Sequence, residues 1–157
     1  MKEYKVDVFS HFSKDIPLLT AGKESFNTML IGWGGLGTLW SKPVATVYVR
    51  ESRYTLEFLD NNDYFTLSFL PEEYKKDLIY LGRHSGRDED KVANTSLTPV
   101  RLEKGVTFKE AKVTLVCKKL YKQLMDVDAM PEDVVKAQYA DGDIHYMFIG
   151  EVVDIIE

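Results

Sequence analysis

The sequence predicts a mostly β fold, an antiparallel barrel with a few peripheral helices. Three observations point there. Apolar and polar residues alternate with the two-residue period of a strand at 27–33, 64–70 and 111–121. Gly, Asn and Asp punctuate these runs at 21–22, 34–37, 61–63, 105 and 141–143. Few stretches carry a helical stripe, and the chain ends on a long apolar run, 144–156. Many strands with few helices suit a closed antiparallel architecture.

Composition narrows the functional classes. At 157 residues the chain reads as one domain, 1–157, long enough for a substantial core. A formal charge of -5 argues against bulk nucleic-acid binding, since no excess of Lys and Arg exists to neutralise many phosphates. Cys117 is the only cysteine, which excludes an intrachain disulfide framework and a multi-cysteine metal site. The opening segment, MKEYKVDVFSHF, has acids and a histidine where a signal peptide needs an apolar core. No apolar run approaches the roughly 18 residues of a membrane span. Together these features predict a cytoplasmic protein with no membrane partner. No histidine has a second ligand at metal-binding spacing, so no metal is expected.

Residues 1–15 are poorly periodic, and His11 receives no role. A short strand is expected at 16–20, closed by Ala21 and Gly22. The next strand, 27–33, places Asn27, Met29, Ile31 and Trp33 on one face and Thr28 and Leu30 on the other. Gly34, Gly35 and Gly37 then read as a loop, and Pro43 opens a strand over 44–50. Ser52 is a plausible N-cap for a helix running to about residue 60, with Tyr54 and Phe58 in contact at the i, i+4 spacing. In 64–70, Phe65, Leu67 and Phe69 face the core, while Thr66 and Ser68 form a polar face. Pro71, Glu72 and Glu73 mark a helix start, and Gly82 its stop. The charged stretch 83–91 leads into a short helix ending near 94. Short strands at 98–102 and 106–108 flank Gly105. In the strand 111–121, Val113, Leu115 and Cys117 point inward, and Lys112, Thr114 and Lys118 point to water. A helix over 131–138 and a turn at 141–143 precede the closing strand.

Chemistry concentrates where the strand 44–50 meets its helix. Arg50, Ser52, Arg53, Tyr54 and Thr55 crowd that junction. A helix start exposes backbone N–H groups, and arginine offers a planar fork that matches phosphate oxygens. The same residues would also make an ordinary capped helix with surface arginines. Gly34-Gly35-Leu36-Gly37 lacks the spacing of a dinucleotide fingerprint, and no helix follows it. No Ser–His–Asp, Cys–His or paired-carboxylate signature is present.

The ordered blocks FNTMLIGWGGLGTLWSKPVATVYVRESRYTLEF, SGRDEDK and HYMFIGE resemble the flavin reductase-like FMN-binding split-barrel family, over about residues 16–157. The resemblance implies an antiparallel Greek-key split barrel, a homodimer, and FMN bound near the subunit interface. It implies a phosphate anchor at Arg50, Ser52, Arg53, Tyr54 and Thr55. It puts the strand of Asn27, Thr28 and Met29 against the flavin, with Asn27 and Thr28 hydrogen-bonding the ribityl chain or ring edge. Met29 also fits a core position. Trp33 and Gly34 either let backbone approach the ring or form a flexible loop. Ser68 and Phe69 sit on a strand whose polar face looks toward the cofactor or is simply half-buried. Ser85, Gly86 and Lys91 lie in a segment that closes over the flavin, Lys91 reaching the phosphate or the pyrimidine side. His145 becomes the catalytic candidate, beside the place where nicotinamide stacks.

The function so implied is FMN-dependent oxidoreduction, with NADH or NADPH passing a hydride through the flavin to an acceptor. The cofactor carries that chemistry, and the protein supplies position and environment. Two other readings stand beside it: a flavoredoxin-like electron carrier that takes electrons from a partner protein, and a non-catalytic barrel that only binds.

Overall fold

A computed structural model describes residues 2–157. Seven strands build the main sheet: β1 (Leu18–Gly22), β2 (Phe26–Leu30), β3 (Gly34–Leu39), β4 (Lys42–Arg50), β5 (Tyr64–Phe69), β8 (Val113–Leu124) and β9 (His145–Ile156). Two more, β6 (Pro99–Leu102) and β7 (Gly105–Phe108), pair as a separate hairpin. The helices are α1 (His11–Asp15), α2 (Thr55–Asn61), α3 (Lys75–Arg83) and α4 (Glu132–Gln138). Among the described residues no helix is long and apolar enough to cross a membrane.

The main sheet runs β2-β1-β5-β8-β9-β4-β3, and its pairings are antiparallel. That order makes β2 and β3 opposite edges, yet only Ile31, Gly32 and Trp33 separate them in the chain. Three residues span at most about 11 Å, so the sheet must roll until its two edges nearly meet. The result is a Greek-key barrel left open along one seam. Its interior is filled by one face of each strand, including Leu19, Ala45, Val47, Phe65, Leu67, Leu115 and Phe148. Phe12 of α1 sits over the open seam. A Cβ on Gly34 would come within 2.6 Å of the Phe12 ring and 2.8 Å of the Thr46 carbonyl oxygen.

Several expectations change. The glycine block is not a loop: Gly34–Leu39 is an edge strand paired with β4. The close packing of Phe12 leaves no room for a side chain at Gly34. The strand β5 is buried on both faces, because the β6–β7 hairpin covers its polar side. Thr66 Oγ1 donates to the Val106 carbonyl at 2.5 Å, and Ser68 Oγ lies 3.0 Å from Thr107 Oγ1. Thr114 is drawn into the same buried network rather than facing water. Gly82 lies within α3, which ends one residue later than expected. His11, given no role from sequence, is buried: its ring stacks on Phe69 at 4.0 Å, and it hydrogen-bonds Tyr4 at 2.6 Å and Asp15 at 3.0 Å.

Gly150 on β9 faces the core, where a Cβ would lie 2.7 Å from the Phe65 ring and 3.0 Å from Cys117 Cβ. Gly150→Ala should therefore cost about 1–3 kcal/mol through overpacking, a fall of roughly 2–4 °C in Tm per kcal/mol. Gly37→Ala, with nothing within 4 Å of its added methyl, should leave Tm unchanged or slightly raised. Thermal unfolding of the two variants beside the parent checks the pair.

Candidate functional site

The strand β4 ends at Arg50, and the chain turns through 51–54 before α2 begins at Thr55. The expected N-cap, Ser52, is therefore two residues too early: Tyr54 takes that position, and α2 lacks a side-chain cap. Asp143, far away in sequence, holds the junction instead. Its carboxylate accepts from the Ser52 amide at 3.0 Å and from Ser52 Oγ at 2.5 Å. Its carbonyl accepts from one Arg50 guanidinium nitrogen at 2.5 Å, and the Gln138 carbonyl accepts from the other at 3.1 Å. Arg50 and Ser52 thus spend their polar groups on tying the loop before β9 to the end of β4. Thr55 is buried, and its hydroxyl accepts from Asn27 Nδ2 at 2.8 Å.

Arg53 is different. Among the described residues its guanidinium has no carboxylate partner, and it faces a cleft shared with Lys91. Lys91 is buried, and its Nζ donates to the carbonyls of Leu81 and His84 at 3.1 Å each, at the C-terminal end of α3. Burial lowers its pKa to about 8, and the Arg53 charge pushes in the same direction. Arg53, Arg83 and Lys91 therefore line the cleft without a carboxylate among its other lining side chains, while Glu89 close by offsets part of the Lys91 penalty. Ser85 and Gly86 also line the cleft. A Cβ on Gly86 would come within 2.0 Å of Asn27 Oδ1, so the 85–91 segment seats directly on the Asn27 side chain.

At the other end stands His145, the first residue of β9 and paired with Arg50 across the sheet. It is buried, and its Nδ1 lies 2.8 Å from the Tyr139 hydroxyl. Trp33, 53% exposed, leans toward it with ring centroids 5.5 Å apart. Burial, and next the Arg50 charge, lower the His145 pKa below the usual histidine value, so the ring is neutral at pH 7. A neutral imidazole held by one nitrogen presents the other as a hydrogen-bonding group without a charge.

These parts line neighbouring pockets that share walls. A pocket of about 200 Å³ between Trp33, Tyr48, Arg50 and His145 adjoins one of about 360 Å³ at the cations; Met29 and Arg53 are common walls. That second pocket shares Asn27, Tyr54, Gly86 and Lys91 as walls with a third of about 760 Å³. Asn27, Met29, Trp33, Arg50, Ser52, Arg53, Tyr54, Thr55, Ser85, Gly86, Lys91 and His145 are thus brought together by the fold. Thr28, Ser68 and Phe69 are not. Thr28 points to the opposite side of β2, 3.0 Å from the Thr20 hydroxyl. Ser68 is sealed beneath the β6–β7 hairpin, and Phe69 is fully buried against His11. Gly34 also lies outside the three linked pockets.

Two residues were missed, Tyr139 and Asp143. The signal was the turn at Gly142, whose φ of 77 reverses the chain. That reversal brings residue 139 back onto 145 and puts Asp143 opposite the end of β4.

Solved structures with this fold include a flavoredoxin of Methanosarcina acetivorans, 23% identical, covering 100% of this chain and 76% of that one, with a TM-score of 0.70. An FMN-binding protein of Thermus thermophilus is 24% identical, covering 100% and 80%, also at 0.70. An NADH:FAD oxidoreductase of Streptomyces globisporus is 19% identical, covering 91% and 74%, at 0.68. No curated protein matches the chain by sequence. Residues 9–157 match the family described as the flavin reductase like domain. A split barrel with this strand order and a match over nearly its whole length make the chain a member of the flavin reductase-like family.

Proposed function

We propose that the chain is a one-domain FMN-dependent reductase that accepts a hydride from NADH or NADPH. The observation that carries this reading is the pair Arg53 and Lys91 in a cleft with no carboxylate in its lining, adjoining the Trp33–His145 pocket. The donor set fits the cofactor. Two cations without a carboxylate suit a phosphate, and charge-assisted contacts to it are among the stronger hydrogen bonds. Asn27 suits the hydroxyls of the ribityl chain. Met29, Trp33 and His145 offer an apolar and aromatic berth for a flat ring. The pockets of about 360 and 200 Å³ together fall in the range of cofactor sites.

FMN, when bound, supplies the hydride chemistry that the side chains do not. The chain's own residues do the rest. Arg53 and Lys91 hold the phosphate, while Arg50, Ser52 and Asp143 fix the loop that carries His145. Tyr139 orients the His145 ring, and Trp33 shields the same pocket from water while leaving one approach for nicotinamide. The electron acceptor is a free flavin, a small molecule or a redox partner protein. We further propose a homodimer built on the outer face of β3, β4 and β9, where Trp40 is 62% exposed and Thr46, Tyr48 and Ile149 line a shallow groove. The cytoplasm, with its reduced nicotinamides, suits this activity.

Under this reading Arg53→Ala weakens FMN binding by about 1.5–3 kcal/mol, roughly 10- to 150-fold in Kd. Calorimetric titration of the flavin-free protein reads the change. A purified protein that is colourless and gives no flavin absorbance shift on adding FMN would end the proposal. Anaerobic mixing with NADH and with NADPH then tests the donor, since loss of the absorbance of oxidised flavin reports hydride transfer.

Lys91 adds a pH dependence. It is charged below about pH 8, where it attracts the phosphate, and loses that charge as pH rises. FMN affinity should fall between pH 8 and 10, by up to about tenfold for one charge-assisted contact. The ligand-free protein moves the other way. The folded pKa lies below the unfolded one, so Lys91 deprotonation adds stability between about pH 8 and 10.4. Both slopes should flatten in Lys91→Met, measured by titration and by thermal unfolding across that range.

A further inference from the structure

Lys91 belongs to a segment that is fastened at one residue. The Glu89 carboxylate accepts from the Tyr80 hydroxyl of α3 at 2.8 Å and from Asn94 Nδ2, in the turn Val92–Asn94, at 2.7 Å. Glu89 thus bolts Asn94 to α3, and Lys91 lies between Glu89 and Asn94 in the chain. The start of the segment is also fixed. The Tyr80 ring stacks on His84 with centroids 3.9 Å apart, and the Tyr80 carbonyl accepts from His84 Nδ1 at 2.8 Å. The amides of Asp88 and Glu89 donate to the Ser85 carbonyl at 3.1 and 3.3 Å, closing the turn that leads to the carboxylate. Resting on the reading above, we propose that Glu89 is the positioning residue of the phosphate site: it fixes the place of Lys91 and supplies its counter-charge.

Glu89 does not line the pocket at Arg53 and Lys91, so it acts through Lys91 and not on the bound anion. Charge faces Lys91 from several elements. Arg53 comes from the turn before α2, and Arg83 and the titratable His84 from the end of α3. Its own segment brings Arg87, Asp88, Glu89 and Asp90, and Glu24 and Arg101 stand across the larger pocket. Of these, Arg53 and Glu89 act on the lysine charge in opposite senses: the arginine makes it harder to hold, the carboxylate easier. His84 Nε2 lies 3.9 Å from the same carboxylate. Because Nδ1 carries the proton given to Tyr80, a neutral His84 ring offers Glu89 no donor, and the carboxylate charge is left to the lysine.

Two variants separate the charge of Glu89 from its grip. Glu89→Gln keeps an acceptor oxygen and removes the charge. In the flavin-free parent, stability rises with pH from about pH 8, as Lys91 gives up its proton. In Glu89→Gln that rise should begin about half a pH unit lower, and the displacement should vanish when Lys91→Met is added. Tyr80→Phe combined with Asn94→Ala keeps the charge and removes both donors. It should weaken FMN at pH 7 at least about threefold, read by calorimetric titration. An unchanged onset in Glu89→Gln, or the same displacement without Lys91, overturns the role of Glu89. So does an unchanged FMN Kd in the folded double variant. If the double variant does not fold, the pH series on Glu89→Gln decides. Failure of the parent to bind FMN would remove the proposed function, and the flavin-free series would still decide whether Glu89 governs Lys91.

Discussion

Arg53 and Lys91 bear like charges on one wall of a cleft, and no carboxylate lines the pocket between them. Burial of the lysine already works against its charge, and the arginine adds to the penalty. A folded chain keeps such an arrangement when something outside the side chains relieves it. The carbonyls of Leu81 and His84 relieve part, by accepting from Lys91 Nζ. The Glu89 carboxylate relieves a further part, and an anion seated between the two cations would relieve more. The proposed function depends on this one electrostatic imbalance.

The barrel exists to hold that wall in place. Rolling the sheet brings β2 beside the end of β4, so Asn27 meets Thr55 across the cleft. The register of β9 on β4 puts His145 opposite Arg50. Asp143 then locks the two chain segments with bonds to Ser52 and Arg50. The Phe65 ring fits only because Gly150 has no side chain. Packing in the core thus fixes the distance between the Trp33–His145 end of the cleft and its cationic end.

Much of this was legible in the sequence, for physical reasons that differ by element. The alternation in β5 and β8 announced strands, because one face of each must be dry. It did not announce that the second face of β5 is also covered, since Thr66 and Ser68 are buried by a hairpin some forty residues away. Polar residues satisfied by a distant partner look like solvent-facing ones, so the alternation alone leaves Ser68 open to a half-buried place or a cofactor contact. The glycine run at 34–37 looked like a loop because propensity cannot see the crowding of Phe12 against Gly34. Arg50 and Arg53 looked equivalent in the chain. Only the fold separates them, by giving Arg50 two carbonyls to bind, while Arg53 has no carboxylate partner among the described residues. Tyr139 and Asp143 stayed hidden because their roles depend on where the Gly142 turn delivers them.

The most direct test compares FMN with riboflavin, which lacks the phosphate, in the parent and in Arg53→Ala. If the cation pair grips the phosphate, the parent should prefer FMN by roughly 10²-fold or more, as two charge-assisted contacts require. That preference should shrink at least tenfold in the variant and weaken with added salt. Equal binding of the two flavins by the parent, or an unchanged preference in Arg53→Ala, would contradict the account.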